Sequence, residues 1–279
     1  MYQLTYVSDG LKVKGYLAFP HGYGLPPGEL AESLRRHYGR TDLPVTPIAT
    51  PLLRDIRDVR AAESPWPVFL YCRGGIGHVG RVQTHWLERF ARHGHLVFAP
   101  CYRGSENGEG RDEFGGRDRE DVLAAYRFLE SLPFVDARRI SVMGFSRGAI
   151  NAAQAAASPL PIRKLALWSG VSDLARTYEE RVDMRRMLKR VIGGSPAKLP
   201  EAYRERSPEA LAGRIGCPTL VIHGTNDVQV DFEHGRRMYE RLLEAGVPAD
   251  FHRYEGLGHH LPPDVHEAAI ARMFDWIRR

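Results

Sequence analysis

Cysteine is scarce in this 279-residue sequence: Cys72, Cys101 and Cys217 stand far apart, each beside a strand-like apolar run. That scatter argues against a disulfide framework and fits buried free thiols in a reducing compartment, part of the core and not of the chemistry. No apolar stretch approaches the roughly 18 residues that a membrane span needs. Met1 to Gly10 lack the basic and apolar regions of a secretory signal, so the expectation is a soluble, cytoplasmic protein with no membrane partner. A long Lys/Arg block is missing too, because 34 acidic residues are interleaved with 39 basic ones despite a net charge of +5. The densest basic stretch, Arg181 to Arg190, carries Met184, Met187, Leu188 and Val191 as the apolar side of an amphipathic helix whose charges face water. A nucleic-acid partner is therefore not expected. There is no internal repeat and no low-complexity tract.

What is present is an apolar fraction of 43%, enough for one large core. Strand-like and helical runs alternate, the signature of a mostly parallel sheet with helices on both faces. Two strands, Leu4 to Val7 and Leu11 to Phe19, flank the turn Ser8-Asp9-Gly10 and predict an antiparallel hairpin. Six more follow: Val68 to Cys72, Leu96 to Ala99, Ile140 to Met143, Leu165 to Trp168, Thr219 to His223 and Phe251 to Tyr254. Between them lie helices marked by Val82, Trp86 and Phe90, by Val122, Tyr126 and Leu129, by Ala149 to Ala157 and by Phe232 to Ala245. A last helix runs through Met273 and Ile277. Two stretches break the rhythm. One is the proline-rich segment His21 to Trp66, with a helical patch near Glu29 to His37, read as an insertion or wrap. The other is the charged, helical segment Ser172 to Ile215, read as cap-like.

The strongest local signal is Gly144-Phe145-Ser146-Arg147-Gly148, set between the apolar run Ile140 to Met143 and the helix-forming run after it. This is the strand-turn-helix context of a nucleophile elbow, in which a serine is held at positive φ and side chains two positions away would collide with it. Twelve serines, with 28 glycines among 279 residues, give only about 0.1 chance occurrences of the pattern. A serine hydroxyl needs a base, and the base needs an orienting acid. Asp227 follows the strand Thr219 to His223, and His259 follows Tyr254, each past the C-terminal end of a strand. Asp227 could be a turn or cap residue, although Asp231 is better placed to cap the next helix. His260 is the rival base. One oxyanion donor is expected from the Arg147 backbone, the other from the loop Arg73-Gly74-Gly75-Ile76-Gly77, with Gly75 ahead of Gly74. That loop lacks the spacing of a phosphate-binding turn.

These residues resemble the catalytic domain of the prolyl oligopeptidase family, which includes acylaminoacyl peptidases and related short esterases. The resemblance covers nearly everything outside His21 to Trp66. It rests on Asp9-Gly10-Leu11 with Gly15-Tyr16-Leu17, Arg73-Gly74-Gly75, Tyr102-Arg103-Gly104-Ser105, and Glu120-Asp121-Val122 leading to Leu132-Pro133-Phe134-Val135-Asp136. It continues through the Ser146 elbow, Ser207-Pro208, His223-Gly224 with Asp227, and Gly258-His259. The resemblance implies an α/β-hydrolase fold with an eight-stranded sheet and catalysis by Ser146, Asp227 and His259, the first histidine after the glycine being the base. No metal and no other cofactor is implied. Three positions depart from the family pattern: Arg73 stands for the usual histidine, Cys101 for asparagine, and Arg147 for a frequent tyrosine. The Arg147 side chain is expected to add positive charge beside the pocket.

Peptidases of the family carry a propeller before the catalytic domain, and a blade takes about 40 to 50 residues. The 66 residues before Pro67 are too few for one. The expectation is therefore a carboxylesterase-like hydrolase of small acyl esters. The alternatives are a serine peptidase for short or acylated peptides, an acyltransferase and a non-catalytic binding module. The segment His21 to Trp66 is expected to pack on the edge or back of the sheet and not over Ser146, an arrangement that would suit a homo-oligomer contact.

Overall fold

The structure, a computed structural model, describes residues 1–49 and 65–279. The first two strands, β1 (Tyr2–Ser8) and β2 (Leu11–Ala18), form an antiparallel hairpin whose turn residues Asp9 and Gly10 both have positive φ. Helix α1 (Pro27–Tyr38) and the short β3 (Val45–Pro47) come next, then β4 (Trp66–Cys72), α2 (Thr84–Ala91) and β5 (Leu96–Pro100). The βα rhythm continues through α3 (Arg119–Glu130), β6 (Val135–Phe145), α4 (Gly148–Ala156) and β7 (Leu165–Trp168). Four short helices follow, α5 (Leu174–Glu180), α6 (Arg185–Ile192), α7 (Pro200–Arg204) and α8 (Pro208–Leu211). The chain closes with β8 (Thr219–Gly224), α9 (Phe232–Glu244), β9 (Ala249–Tyr254) and α10 (Pro263–Arg278).

The strands make one sheet in the order β3-β1-β2-β5-β4-β6-β7-β8-β9. From β5 to β9 every pairing is parallel, while β1 to β3 and the β2–β5 junction are antiparallel. Side chains alternate between the two faces, as the pleat requires. Val68, Leu70 and Cys72 join the core under α1, α3, α4 and α9, whereas Phe69 and Tyr71 join the core under α2 and α10. This is the α/β-hydrolase architecture, with nine strands among the described residues where the sequence suggested eight. The extra strand is β3, too short for its own periodicity to show. It is defined by pairing: Val45, Thr46 and Pro47 lie opposite Leu4, Gln3 and Tyr2. Strand β6 also starts earlier than its apolar run, because Val135 pairs with Trp66 before the register shifts ahead of Val68.

Within the segment 21–66, Leu30, Leu34 and Leu43 are buried in the core beside β1, and β3 covers that edge of the sheet. Residues 50–64, which include most of the remainder up to Arg60, lie outside the described residues. Segment 172–215 supplies α5 to α8, and Leu174, Tyr178, Leu188 and Tyr203 form with Phe114, Ile150, Val171 and Val230 a third apolar cluster above the C-terminal ends of the strands. All three cysteines are buried and unpaired. Among the described residues no helix is long and apolar enough to cross a membrane.

Burial holds three histidines, His95, His252 and His266, down at about 4, below the ordinary 6.5. Each stays neutral in the fold but takes a proton when unfolded, so its contribution is whole above 6.5 and is lost progressively between about 6.5 and about 4. The thermal midpoint should therefore fall as pH drops from 7 to about 4.5. His95→Gln, at a ring packed on Phe274, should flatten that fall, and identical slopes in the two proteins would show that the groups responsible lie elsewhere.

Candidate active site

The elbow is built by close approach. Between β6 and α4, Ser146 takes φ +56°, a left-handed value that side chains rarely adopt. Its amide donates to the Trp168 carbonyl at 2.9 Å, and its carbonyl accepts from Ala149 and Val171 at 3.1 and 3.2 Å. A Cβ on Gly148 would lie 2.0 Å from the Cys72 carbonyl oxygen, and one on Gly144 would lie 2.5 Å from the Gly148 oxygen. Only glycine lets the start of α4 sit on the end of β4 and the serine turn sharply between them. Half-buried, Ser146 lines a cavity of about 470 Å³ shared with Gly74, Gly75, Arg147, His259 and His260.

Asp227 and His259 come from two loops that are tied together. The Asn226 amide donates to the Leu257 carbonyl at 2.9 Å, Thr225 to Tyr254 at 3.0 Å, and Gly256 to the Thr225 hydroxyl at 2.8 Å. A Cβ on Gly224 would meet the Leu257 oxygen at 2.3 Å, so that glycine permits the contact. Across the junction His259 Nδ1 lies 2.7 Å from Asp227 Oδ2, with both side chains buried. The other carboxylate oxygen accepts from the Gln229 and Val230 amides, each at 2.9 Å. Burial alone would raise the Asp227 carboxyl, but hydrogen bonds from His223 and His259 outweigh it and hold it well below the carboxylate range. The carboxylate is charged and fixes a proton on His259 Nδ1, which leaves Nε2 as the atom able to accept one. His260 has no hydrogen bond to Asp227 among the described residues. Asp231 caps α9 by accepting from the Glu233 amide at 2.8 Å.

His223 is a participant that sequence reasoning passed over. Fully buried, its Nε2 lies 2.9 Å from the Val230 carbonyl and 3.4 Å from Asp227 Oδ2. Since a carbonyl can only accept, Nε2 carries the proton, and His223 donates towards the same carboxylate that orients His259. The available signal was the spacing His223-Gly224-Thr225-Asn226-Asp227, which turns the histidine back on the acid four residues later.

On the opposite side, the amides of Arg147, Gly74 and Gly75 have no protein acceptor among the described residues, as an oxyanion site requires. Gly74 packs on Ser146 itself, a Cβ built on it lying 3.0 Å from Ser146 Cβ. Arg147 differs from expectation: its guanidinium is 2% exposed and turned inward instead of adding free charge to the pocket. It donates to Asp112 at 2.7 and 3.0 Å and to Asp118 at 2.6 Å, over the rings of Tyr102 and Phe114. Burial works against its charge, and Asp112 and Asp118 more than offset that, so it stays protonated. Arg73, equally buried, donates to the Cys101 carbonyl at 2.7 Å and lies 3.4 Å from Asp112.

A profile of the prolyl oligopeptidase family matches residues 82–279. The chain belongs to the prolyl oligopeptidase family. An uncharacterized peptidase of Bacillus subtilis, YtmA, is 36% identical over the whole chain and 93% of its own length. Among solved structures, a puromycin-hydrolyzing peptidase of Mycobacterium tuberculosis matches with a TM-score of 0.72 at 24% identity, over 99% of this chain and 37% of that one. An acylaminoacyl peptidase of Pyrococcus horikoshii matches with a TM-score of 0.73 at 18% identity, over 99% and 41%. This chain thus spans nearly all of YtmA and about two fifths or less of those two structures. As a member of the prolyl oligopeptidase family it is a serine hydrolase.

Labelling by a fluorophosphonate separates the two histidines. His259→Ala should slow labelling by several orders of magnitude, because the Asp227-bound ring is lost. His260→Ala should stay within about tenfold of the wild type. The reverse ranking would make His260 the base.

Proposed function

We propose that this enzyme is a serine peptidase acting on short or N-acylated peptides through an acyl-enzyme on Ser146. His259 Nε2 takes the hydroxyl proton as Ser146 Oγ attacks the carbonyl carbon. Asp227 holds the imidazole in its tautomer and stabilises the imidazolium. The N–H groups of Arg147 and Gly75 receive the oxyanion, with Gly74 the neighbouring donor. His259 then gives its proton to the leaving amine, and water repeats the attack on the ester so formed. The observation that carries this reading is the 2.7 Å contact between His259 and Asp227 on two tied loops, across one cavity from a serine held at positive φ.

Family membership and likeness to YtmA over the whole of this chain and 93% of that one support amide over ester bonds, against the carboxylesterase expectation. The cavity suits a short acyl portion with an apolar side chain: Ile76, Val171, Met184, Met187 and Val230 line one side of it, two of them from the cap-like segment 172–215. The alternative remains hydrolysis of small acyl esters, favoured by the same apolar lining. A cytoplasmic location belongs to the proposal and is supported by the three buried, unpaired thiols.

Acyl-aminoacyl and aminoacyl nitroanilides, compared with p-nitrophenyl esters of short acids, test the proposal. Nitroanilide turnover is expected in the wild type, and Ser146→Ala should lower it by several orders of magnitude without loss of fold. Turnover confined to the esters would return the enzyme to the carboxylesterase reading. More than a few per cent of turnover left in Ser146→Ala would remove the nucleophile assignment.

A further inference from the structure

The two buried arginines beside the nucleophile share an acceptor that belongs to the oxyanion loop. Arg73 Nη1 lies 3.1 Å and Arg147 Nη1 3.2 Å from the Gly75 carbonyl oxygen, and Arg73 Nη1 also lies 3.2 Å from the Gly74 oxygen. Asp112 bridges the pair, accepting from Arg147 on both oxygens and from Arg73 on Oδ2. Asp118 anchors Arg147 from below and is itself fixed by the Glu113, Gly115 and Gly116 amides and the Asn151 side chain. The Tyr102 ring lies against both guanidiniums, 4.5 and 4.6 Å from their carbons. The loop folds back tightly here, for a Cβ on Gly80 would lie 2.5 Å from Arg73 Nη1 and 2.7 Å from the Gly75 carbonyl carbon.

Peptide planarity turns these contacts into a functional constraint. In a trans peptide the C=O and the following N–H point in opposite directions. A guanidinium holding the Gly74 oxygen therefore fixes the Gly75 N–H to point away from it, and the grip on the Gly75 oxygen does the same for Ile76. A carbonyl that accepts from a cation also polarises its own peptide, making the N–H at the other end a stronger donor. Left alone, the loop would keep those carbonyls in water and its amides in many orientations, since Gly74 and Gly75 add no side chain to restrain them.

We propose that Arg73 is a positioning residue for catalysis, which orients and polarises the oxyanion-binding Gly75 amide by gripping the Gly74 oxygen, while Arg147 helps it hold the next carbonyl of the loop, that of Gly75, from the shared Asp112–Asp118 base. This rests on the assignment of Ser146 and that loop above and adds the device that aims the donors. Neither guanidinium needs to touch the substrate. Lysine cannot replace Arg73, because one ammonium cannot reach the Gly74, Gly75 and Cys101 oxygens in the geometry of a planar fork.

The test compares wild type and Arg73→Lys on one nitroanilide or ester that the wild type hydrolyses, with active sites counted by fluorophosphonate titration carried to completion. Misfolded protein is thereby removed from the rate. Per titrated site, kcat should fall about 10- to 100-fold while KM changes less than about threefold, since the donors act chiefly in the transition state. The affinity for a peptidyl trifluoromethyl ketone, whose adduct carries the oxyanion, should weaken in parallel with kcat. If Arg73→Lys gives no titratable sites, Asp112→Asn, which loosens both arginines while keeping the side-chain shape, carries the same expectation. An unchanged kcat per site, or a fall in kcat with no loss of ketone affinity, would overturn the proposal and leave the network a structural one. A wild type in which Ser146 takes no probe and nothing is hydrolysed would instead remove the site assignment on which it rests.

Discussion

The contact on which the site depends is that of Gly148 with the end of β4. With its Cβ position 2.0 Å from the Cys72 carbonyl oxygen and 2.6 Å from that of Arg73, α4 begins where any side chain would be excluded. That seat brings the loop after β4 and the turn after β6 into register, so Gly74 can touch Ser146 and the Arg147 amide can face the same cavity. It also carries Arg147 into the interior, where its side chain meets Arg73 and the loop after β5. The Ser146 turn, the place of the Gly74–Gly75 loop beside it and the buried charge network are consequences of one backbone approach that only glycine permits.

Burying two arginines and two aspartates side by side is expensive, and an apolar replacement of equal volume would often be as stable. The network is therefore poorly explained by stability alone. Its geometry shows what the charges supply that apolar groups could not. They provide donors in fixed directions for the carbonyls of Cys101, Gly74 and Gly75, in a loop whose glycines contribute no packing of their own. Arg73 makes the point most clearly: burial and the neighbouring charge of Arg147 both push against its protonated form, yet most of its partners are neutral carbonyls and not carboxylates.

The parts of this architecture that were legible in the sequence are those written in short, contiguous patterns. The core strands could be read because each is an apolar run between turn residues. The elbow could be read because its glycines sit at fixed offsets from Ser146, and Asp227 and His259 because each follows a strand directly. What could not be read depends on partners distant in the chain. Strand β3 is three residues defined by β1, and the start of β6 is set by its pairing with Trp66. Arg147 read as free positive charge beside the pocket because its acceptors, Asp112 and Asp118, come from a loop some thirty residues earlier with no periodic signal. His223 was visible as a motif letter, but its proton direction is settled only by the Val230 carbonyl across the turn.

The two halves of the site are consequently held by different physics. On one side, Asp227 and His259 are fixed by backbone hydrogen bonds between two loops and by close packing at Gly224, with one charged carboxylate whose oxygens accept from the Gln229 and Val230 amides and from His259. On the other side, the Gly74–Gly75 loop has few backbone bonds of its own among the described residues, and the buried arginines beneath it hold its carbonyls. Buried pairs are screened little by salt, and their donors keep one direction because the fork is planar. Each half therefore receives the restraint it lacks by composition: a β-strand end with good backbone pairing needs only one carboxylate, whereas a glycine loop needs an external grip. In the proposed mechanism neither half has to reorganise as charge develops in the cavity between them, which is the condition under which fixed dipoles lower a barrier.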